Sequence, residues 1–145
     1  MSAEGDRSKL LLDTHTLLWM VEDHPRLGSA TAKVLNRTAQ EGRLMVSAIT
    51  PWEIALLVAK KRIELHQESL AWIQSALSLP GMQLVPLEPE IAVASTCLPF
   101  EMHPDPADRI IVATARHLGA TLVTADQILL GLAKQGHLRV LDATR

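Results

Sequence analysis

Short apolar runs alternate with amphipathic segments along most of the chain. The runs lie at residues 9–12, 44–47, 83–86, 121–124 and 138–141. Between them, apolar residues recur at helical spacing over residues 15–21, 29–41, 50–60, 67–79, 89–97, 106–118 and 127–134. Short apolar runs without alternation are typical of strands that are buried on both faces of a sheet. The pattern therefore predicts an α/β domain in which helices cover both faces of a parallel sheet.

No linker, internal repeat or low-complexity segment divides this pattern, so we predict a single domain over residues 9–145. Residues 1–8 are polar, and we expect them to form a disordered tail. No run of about 18 apolar residues is present, which argues against a membrane span. The one cysteine, Cys97, lies in an apolar helical pattern and is predicted to be a small core residue in a cytoplasmic protein.

The helix predicted over residues 106–118 has the clearest boundaries. Asp105 is a natural N-cap, because its carboxylate can accept hydrogen bonds from the free N–H groups of the first turn. Pro106 takes the first helical position, where its missing N–H costs nothing. Asp108 follows near the positive end of the helix dipole, and Gly119 ends the helix. A cap requires one acid, whereas this turn carries two, so we considered whether other carboxylates join them.

Two other helix starts also carry N-terminal signals. Ser29 is the predicted N-cap of the helix over residues 29–41. Thr50 and Glu53 form a capping-box pattern, with Pro51 at the first helical position. The basic run 60–62 lies at the end of that helix. It is either a solvated helix end or part of a track for RNA.

Four acids lie at the ends of predicted strands or at helix starts: Asp13, Glu53, Asp108 and Asp126. In open parallel sheets, sites form outside the carboxyl ends of the strands, so these acids would meet at one edge. Glu53, Asp108 and Asp126 each have an alternative role as helix caps. Asp13 is harder to explain as a cap, because it follows three leucines at the end of a buried strand. An ionised group there is costly unless it is paired or bound to a metal.

Carboxylates crowded at one edge would repel one another, and a bound divalent cation would remove that penalty. Oxygen ligands without a cysteine cluster suit Mg²⁺ or Mn²⁺ rather than zinc. Such an ion lowers the pKa of water and stabilises charge on a phosphate under attack.

Several polar residues flank these acids: Thr14, His15, His103, Arg109 and Thr124. The two threonines would hold carboxylates through their hydroxyls, or would be ordinary strand-end threonines. Arg109 would pair with Asp105 or contact a phosphate, and the local ion pair is the simpler prediction. Lone histidines are more often hydrogen-bonded structural residues than ligands, and we assign both histidines that role. The tryptophans at positions 19, 52 and 72 lie at helical apolar positions and are predicted to be core or interface residues.

The overall composition limits the function classes. The formal net charge is -2 at pH 7, which argues against binding nucleic acid by a basic surface alone. The chain has no tyrosine and a single phenylalanine, so a base-stacking platform of the OB or RRM kind is not expected.

Four sequence segments together resemble one known family. They read LLLDTH over residues 10–15, VSAITPWEIA over 46–55, HPDPADRIIVA over 103–113 and LVTAD over 122–126. Their order and spacing are similar to those of the PIN-domain family, and most similar to VapC-type toxins of bacterial toxin–antitoxin pairs. The resemblance extends over almost the whole chain, from about residue 9 to residue 141.

This resemblance implies a PIN-like three-layer α/β/α sandwich with a central, mainly parallel sheet of four to five short strands. It implies a Mg²⁺- or Mn²⁺-dependent endoribonuclease that leaves a 5′-phosphate and a 3′-hydroxyl. The acidic residues of the family match Asp13, Glu53, Asp108 and Asp126, and Asp105 matches an auxiliary acid of the His-x-Asp-Pro subgroup. With this match, our hypothesis is that Asp13 and Asp108 hold the main ion directly, while Glu53 and Asp126 complete its surroundings through water or hold a second ion. The family also implies homodimers, an RNA substrate and a small VapB-type antitoxin whose tail enters the active-site groove.

Two positions depart from the family pattern. Ala107 stands where the subgroup usually carries an aromatic residue, which bears on local packing or on antitoxin contact. The asparagine-plus-acid ending of many relatives is reduced here to Thr124-Ala-Asp126, so Asp126 is the acid with the weakest support.

Other functions fit the sequence less well. A haloacid-dehalogenase-like phosphatase needs a second acid two residues after the first, and His15 occupies that position. A nucleotide-binding α/β domain needs a glycine-rich phosphate loop, which none of the seven glycines forms. A catalytically inactive PIN fold that only binds a partner is a further alternative, although retention of all four acids argues against it.

Overall fold

A computed structural model of the protein describes residues 8–145. The expectation of a disordered tail therefore falls, except for Ser8, outside the described residues. The elements in chain order are β1 (Leu10–Leu12), α1 (Thr14–Glu22), α2 (Ser29–Gln40), β2 (Leu44–Ser47), α3 (Ile49–Ala59), α4 (Ser69–Leu77), β3 (Met82–Val85), α5 (Pro89–Thr96), α6 (Pro106–Leu118), β4 (Thr121–Thr124), α7 (Gln127–Lys134) and β5 (Val140–Asp142). Each of them matches a predicted segment, with shifts of one to two residues at several ends.

The five strands form one sheet in the order β3-β2-β1-β4-β5, and all four pairings are parallel. At its carboxyl end β1 places Leu12 beside Val46 of β2 and Val123 of β4. The chain builds outward from β1 to β3, then crosses back and builds outward from β4 to β5. The strand order thus reverses between β1 and β4, which is where open α/β sheets form their binding crevices.

Residues of β1 alternate between two apolar cores, one on each face of the sheet. Leu10 and Leu12 pack with residues of α1 to α4, whereas Leu11 packs with residues of α6 and α7. This double burial is the reason that the strand reads as an unbroken run of leucines. The helical layers on both faces confirm the predicted three-layer α/β/α sandwich.

Helix α6 begins and ends as predicted. Asp105 Oδ1 accepts a hydrogen bond from the Asp108 backbone N at 3.1 Å, and Gly119 has φ 62° at the other end. For α2 the predicted cap is wrong, because Gly28 rather than Ser29 is the N-cap and no side chain caps this helix. Gly28 is required by a close approach, since an added Cβ would lie 1.6 Å from the carbonyl oxygen of Arg145.

The predicted capping box at α3 is also wrong. The helix begins at Ile49, one residue before Thr50, and Ser47 Oγ accepts from the Ile49 backbone N at 3.1 Å. Thr50 is buried in the first turn, and Glu53 forms no cap because its carboxylate bonds the hydroxyl of Thr14. Glu53 therefore fits a capping pattern in the sequence, but in the structure it is held by Thr14 of α1.

Three predictions about apolar positions have different outcomes. Trp72 lies in the core with 2% of its surface exposed, as predicted. Trp52 is 51% exposed on α3, so it is not a core residue. Cys97 is exposed as well, because α5 ends at Thr96 and the cysteine lies just past the buried face of that helix. Within residues 8–145, no helix has the length and apolarity needed to cross a membrane.

Candidate active site

Asp13 lies at the carboxyl end of β1, at the point where the strand order reverses. Its Oδ1 accepts from the Thr14 backbone N at 2.8 Å, and its Oδ2 accepts from Thr124 Oγ1 at 2.7 Å. The side chain is thus the N-cap of α1, a role that its position at a strand end did not suggest. A cap uses one oxygen, whereas here both carboxylate oxygens are held. With 3% of its surface exposed, Asp13 is a buried and firmly positioned acid.

Glu53 approaches the same place from α3. Thr14 Oγ1 donates to Glu53 Oε1, and Thr50 Oγ1 lies 3.4 Å from Thr14 Oγ1. Burial raises the pKa of Glu53 to about 7, against the opposing effect of the Thr14 hydrogen bond. The negative charges of Asp108, Asp13 and Asp105 raise this pKa further.

Asp108 lies on the first turn of α6, where His103 Nε2 is 2.7 Å from Asp108 Oδ2. Burial raises the pKa of Asp108 to about 6, although the hydrogen bond to His103 lowers it. Repulsion from Asp13 and Asp105 adds to the increase. Two carboxyl groups on different helices therefore bind protons more tightly than usual for a shared reason, which is burial beside other negative charges.

Three of the acids are close enough to share one ion. Oxygen atoms of Glu53, Asp105 and Asp108 all lie within 4.8 Å of one another. Asp13 lies outside this group of three, but its charge raises the pKa of both Glu53 and Asp108. The structure therefore brings together three of the four predicted acids and the auxiliary acid Asp105.

Asp126, like Asp13, lies outside the group of three acids. Its Oδ1 accepts from the backbone N of Ile128 at 2.8 Å and of Leu129 at 3.2 Å, which makes it the N-cap of α7. Its charge is not among the causes of the raised pKa of Glu53 or Asp108. One link to Asp13 exists, because Thr124 Oγ1 accepts from the Asp126 backbone N at 3.0 Å and donates to Asp13. Asp126 therefore caps a helix, as Asp13 and Asp105 do, and its role at a metal stays a prediction.

This arrangement agrees with comparisons of the whole chain. A family model described as PIN domain matches residues 10–135. The chain belongs to the PIN-domain family. Over 120 residues this PIN domain is 34% identical to Ribonuclease VapC22 of Mycobacterium tuberculosis (strain ATCC 25618 / H37Rv), with 83% of this chain and 88% of that protein covered.

Solved structures give the same fold. One is VapBC2 from Rickettsia felis bound to a DNA fragment from their promoter, with a TM-score of 0.65 and 15% identity over 91% of this chain and 96% of that chain. Another is a toxin–antitoxin complex from Klebsiella pneumoniae, with a TM-score of 0.58 and 25% identity over 93% of this chain and 98% of that chain. The first likeness supports the fold alone.

Arg109 forms no ion pair with Asp105 in the described part of the PIN domain. Its Nε donates to the Ser95 carbonyl at 2.8 Å and its Nη1 to the Met102 carbonyl at 3.2 Å. The predicted ion pair with Asp105 is therefore wrong, because the guanidinium instead ties the end of α5 to the loop before α6. This loop carries His103, so Arg109 stabilises the segment that bonds Asp108.

The two histidines are hydrogen-bonded, as predicted, and both contact the acids. His15 Nε2 accepts from the Ala125 backbone N at 2.9 Å, so in the neutral ring Nδ1 carries the proton. That Nδ1 lies 3.6 Å from Asp13 Oδ2. The signal for these contacts is local, since each histidine lies two to five residues from an acid at a helix start.

Thr124 connects two strand-end loops of the PIN domain, and its hydroxyl can be tested directly. We expect Thr124→Val to lower the free energy of unfolding by about 1–3 kcal/mol, because the buried oxygen of Asp13 and the Asp126 N–H would lose their partner. Urea unfolding monitored by circular dichroism measures this change. Thr96→Val is the matched control, because that exposed hydroxyl bonds only the Val93 carbonyl of its own helix. Equal stabilities of the two variants would contradict the assigned role.

Proposed function

We propose that this PIN domain is a metal-dependent endoribonuclease toxin of the VapC type, which a cognate antitoxin neutralises. The observation that carries the proposal is the convergence of Asp13, Glu53 and Asp108 from three separate elements, with the pKa of the last two raised. The relative that is 34% identical is named a ribonuclease, and the Klebsiella pneumoniae structure at 25% identity is a toxin–antitoxin complex. The acids supply chemistry that a partner-binding module would not need.

The residues at this site fit a divalent cation. The donors are carboxylate oxygens alone, a set that suits Mg²⁺ or Mn²⁺. Burial, with added repulsion from neighbouring carboxylates, raises the pKa of Glu53 and Asp108, and a bound cation would offset both effects. Although Asp13 lies outside the group of three acids, its charge raises the pKa of Asp108, and we assign these two carboxylates as direct ligands. Glu53 and Asp105 would then act through water or hold a second ion. Asp126 stays a candidate for the second ion through its Oδ2.

The bound cation would lower the pKa of water and balance the charge that develops on the attacked phosphate. The other parts of the reaction belong to the protein. Thr14 fixes Glu53, which orients the attacking water from the α3 side. His103 fixes Asp108, and Thr124 fixes Asp13, so the carboxylates do not reorganise during reaction. Water attacks phosphorus in line and loses a proton to solvent. The bond to the 3′ oxygen breaks and that oxygen takes up a proton from solvent, so the products carry a 5′-phosphate and a 3′-hydroxyl.

The same proposal includes two protein partners. One is a second copy of this chain, and the other is a small VapB-type antitoxin whose tail occupies the active-site groove. Light scattering of the purified chain, alone and co-expressed with its antitoxin, measures both stoichiometries. A monomer at all concentrations would remove the homodimer from the proposal without affecting the nuclease.

A nuclease assay on the antitoxin-free protein tests the proposal. We expect discrete cleavage of tRNA or rRNA with Mg²⁺ or Mn²⁺, no cleavage in EDTA, and 5′-phosphate ends on the products. Duplex DNA of similar length is the matched control substrate. Activity that persists in EDTA would contradict the metal assignment. Folded protein that cuts none of these RNAs with either ion would favour a partner-binding module instead.

A further inference from the structure

A groove runs from the acidic site along α3 to the end of that helix. It has a volume of about 280 Å³ and is lined by residues of α3, the turn that follows it and the start of α6. We call it the α3 groove, and its lining residues are Trp52, Glu53, Leu56, Leu57, Lys60, Arg62, Asp105, Pro106 and Ala107. Because Glu53 and Asp105 belong to the acidic site, a chain bound at the acids would continue into this groove.

Trp52 is the large aromatic side chain of the α3 groove, and it is 51% exposed. It directly precedes Glu53 on the helix, so it borders the acidic site. Exposure of half of an indole ring is costly in water and gives the groove a flat apolar surface. Ala107 also lines the groove and contributes only a methyl group there.

Positive charge without a protein partner lies at the far end of the α3 groove. Lys60 and Arg62 are both exposed, and within residues 8–145 neither forms an ion pair. Lys60 follows Glu53 by seven residues, which is about 10 Å along the axis of α3 and nearly the same helix face. Acid, aromatic ring and cations therefore all line one groove, with Trp52 and Glu53 near the start of α3 and Lys60 and Arg62 at and just past its end.

We propose that the α3 groove binds a nucleotide that flanks the scissile phosphate of single-stranded RNA. The base stacks on Trp52, while Lys60 and Arg62 bind backbone phosphates beyond it. This inference rests on the proposed ribonuclease function and adds a subsite to it. Stacking on an aromatic ring beside cations is the general mode by which proteins hold single strands. A peptide occupant is the competing explanation, and the experiment below separates the two.

Binding of labelled RNA by fluorescence anisotropy tests the proposal, with Asp13→Asn as the background so that no RNA is cut. The probes are a uridine oligonucleotide about 12 nucleotides long and its abasic ribose-phosphate counterpart, a length within the range of known single-strand sites. We expect Trp52→Ala to weaken binding of the uridine probe about tenfold and to leave the abasic probe unchanged. Trp52→Phe should restore most of the affinity, because phenylalanine also stacks.

The cations are tested by the salt dependence of binding. We expect Lys60→Ala and Arg62→Ala each to weaken both probes and to lower the slope of log affinity against log salt by about 0.7. Lys134→Ala removes an exposed charge at the end of α7, and Leu70→Ala removes an exposed apolar side chain of α4, so both should bind like the background protein.

Three results would overturn the subsite. The first is unchanged binding of the uridine probe in Trp52→Ala. The second is an equal loss of affinity for the two probes in that variant. The third is that substitutions in the α3 groove weaken binding of the antitoxin and leave binding of RNA unchanged. The binding and cleavage results are separable. Cleavage by wild-type protein with normal RNA binding in Trp52→Ala would reject the subsite and retain the nuclease. Trp52-dependent RNA binding by a wild-type protein without cleavage would retain the subsite and reject the nuclease.

Discussion

Asp13→Asn is expected to reduce RNA cleavage by about 10²- to 10³-fold. In the proposed site Asp13 is a direct ligand, so its loss would weaken the hold on a cation whose charge stabilisation would contribute several kcal/mol to the transition state. Initial rates of cleavage at saturating Mg²⁺ measure the loss. Because asparagine has the same size and shape, the reduction should appear in the rate without a change in the far-ultraviolet circular dichroism spectrum.

The same substitution should not destabilise the ion-free protein. Asparagine keeps an oxygen that can accept from the Thr14 backbone N, and its amide can donate to the hydroxyl of Thr124. It also removes one charge that raises the pKa of Glu53 and Asp108. We therefore expect an unchanged or higher melting temperature in EDTA together with lost activity, a combination that a merely damaged fold would not produce.

Asp126→Asn is the matched control for Asp13→Asn. Asparagine is as good an N-cap as aspartate, so α7 should be retained. Because Asp126 is separate from the other acids, we expect a smaller loss of cleavage than for Asp13→Asn. Full activity in Asp13→Asn, prepared identically, would reject the metal assignment. A larger loss of cleavage in Asp126→Asn than in Asp13→Asn would indicate that Asp126 binds an essential ion.

Raising the pH from 5 to 8 is expected to destabilise the ion-free protein. The ordinary pKa values of Glu53 and Asp108 are 4.5 and 3.8, and in the folded protein they rise to about 7 and about 6. A raised pKa means that the folded state binds protons more tightly than the unfolded state. The stability from these protons is complete below the ordinary pKa values and is lost as the pH rises through the folded ones. The window of loss is therefore about pH 4 to 7.

The size of this loss is limited because both carboxyl groups retain contact with water. We expect about 2 kcal/mol in total, or roughly 5 °C in melting temperature for a domain of this size. Thermal unfolding in EDTA across this pH range measures it. Glu53→Gln is the matched control, since glutamine cannot ionise and should remove the larger share of the pH dependence. An identical pH profile in that variant would contradict the assignment to Glu53.

Added Mg²⁺ should restore the stability that is lost at high pH. Protons and the cation compete for the same oxygens, so the ion should stabilise the protein more at pH 8 than at pH 5. At a concentration 100 times its dissociation constant, an ion that binds only the folded state adds about 2.7 kcal/mol. EDTA should reverse the increase. Equal stabilisation at both pH values would indicate binding elsewhere on the protein.

Much of the fold follows from local patterns. The strands at residues 44–47 and 121–124 and the helix over 127–134 have the predicted bounds, because short apolar runs and turn residues mark them clearly. Asp105, Pro106 and Gly119 set the bounds of α6 through interactions within a few residues. Such signals are readable because both partners are near each other in sequence.

The predictions that are wrong concern residues whose partners are set by tertiary packing. Gly28 begins α2 because the distant Arg145 carbonyl leaves no room for a side chain, and the serine beside it had no bearing on that contact. Glu53 resembles a cap within its own helix, but a hydroxyl from α1 holds it. Arg109 bonds two carbonyls of the preceding segment rather than the nearest acid. Each depends on a partner whose position is set only by packing.

The sequence by itself determined the α/β class of the domain, its parallel sheet buried on both faces, and the candidate acids. These follow from apolar periodicity and from residue types at strand ends, which are local properties of the chain. Tertiary structure decided which acids meet. It grouped Asp105 with Glu53 and Asp108, made Asp126 the N-cap of α7, and left Trp52 exposed in a groove. The physical reason is that distances between side chains on different elements depend on how the helices pack against the sheet, which no local pattern encodes.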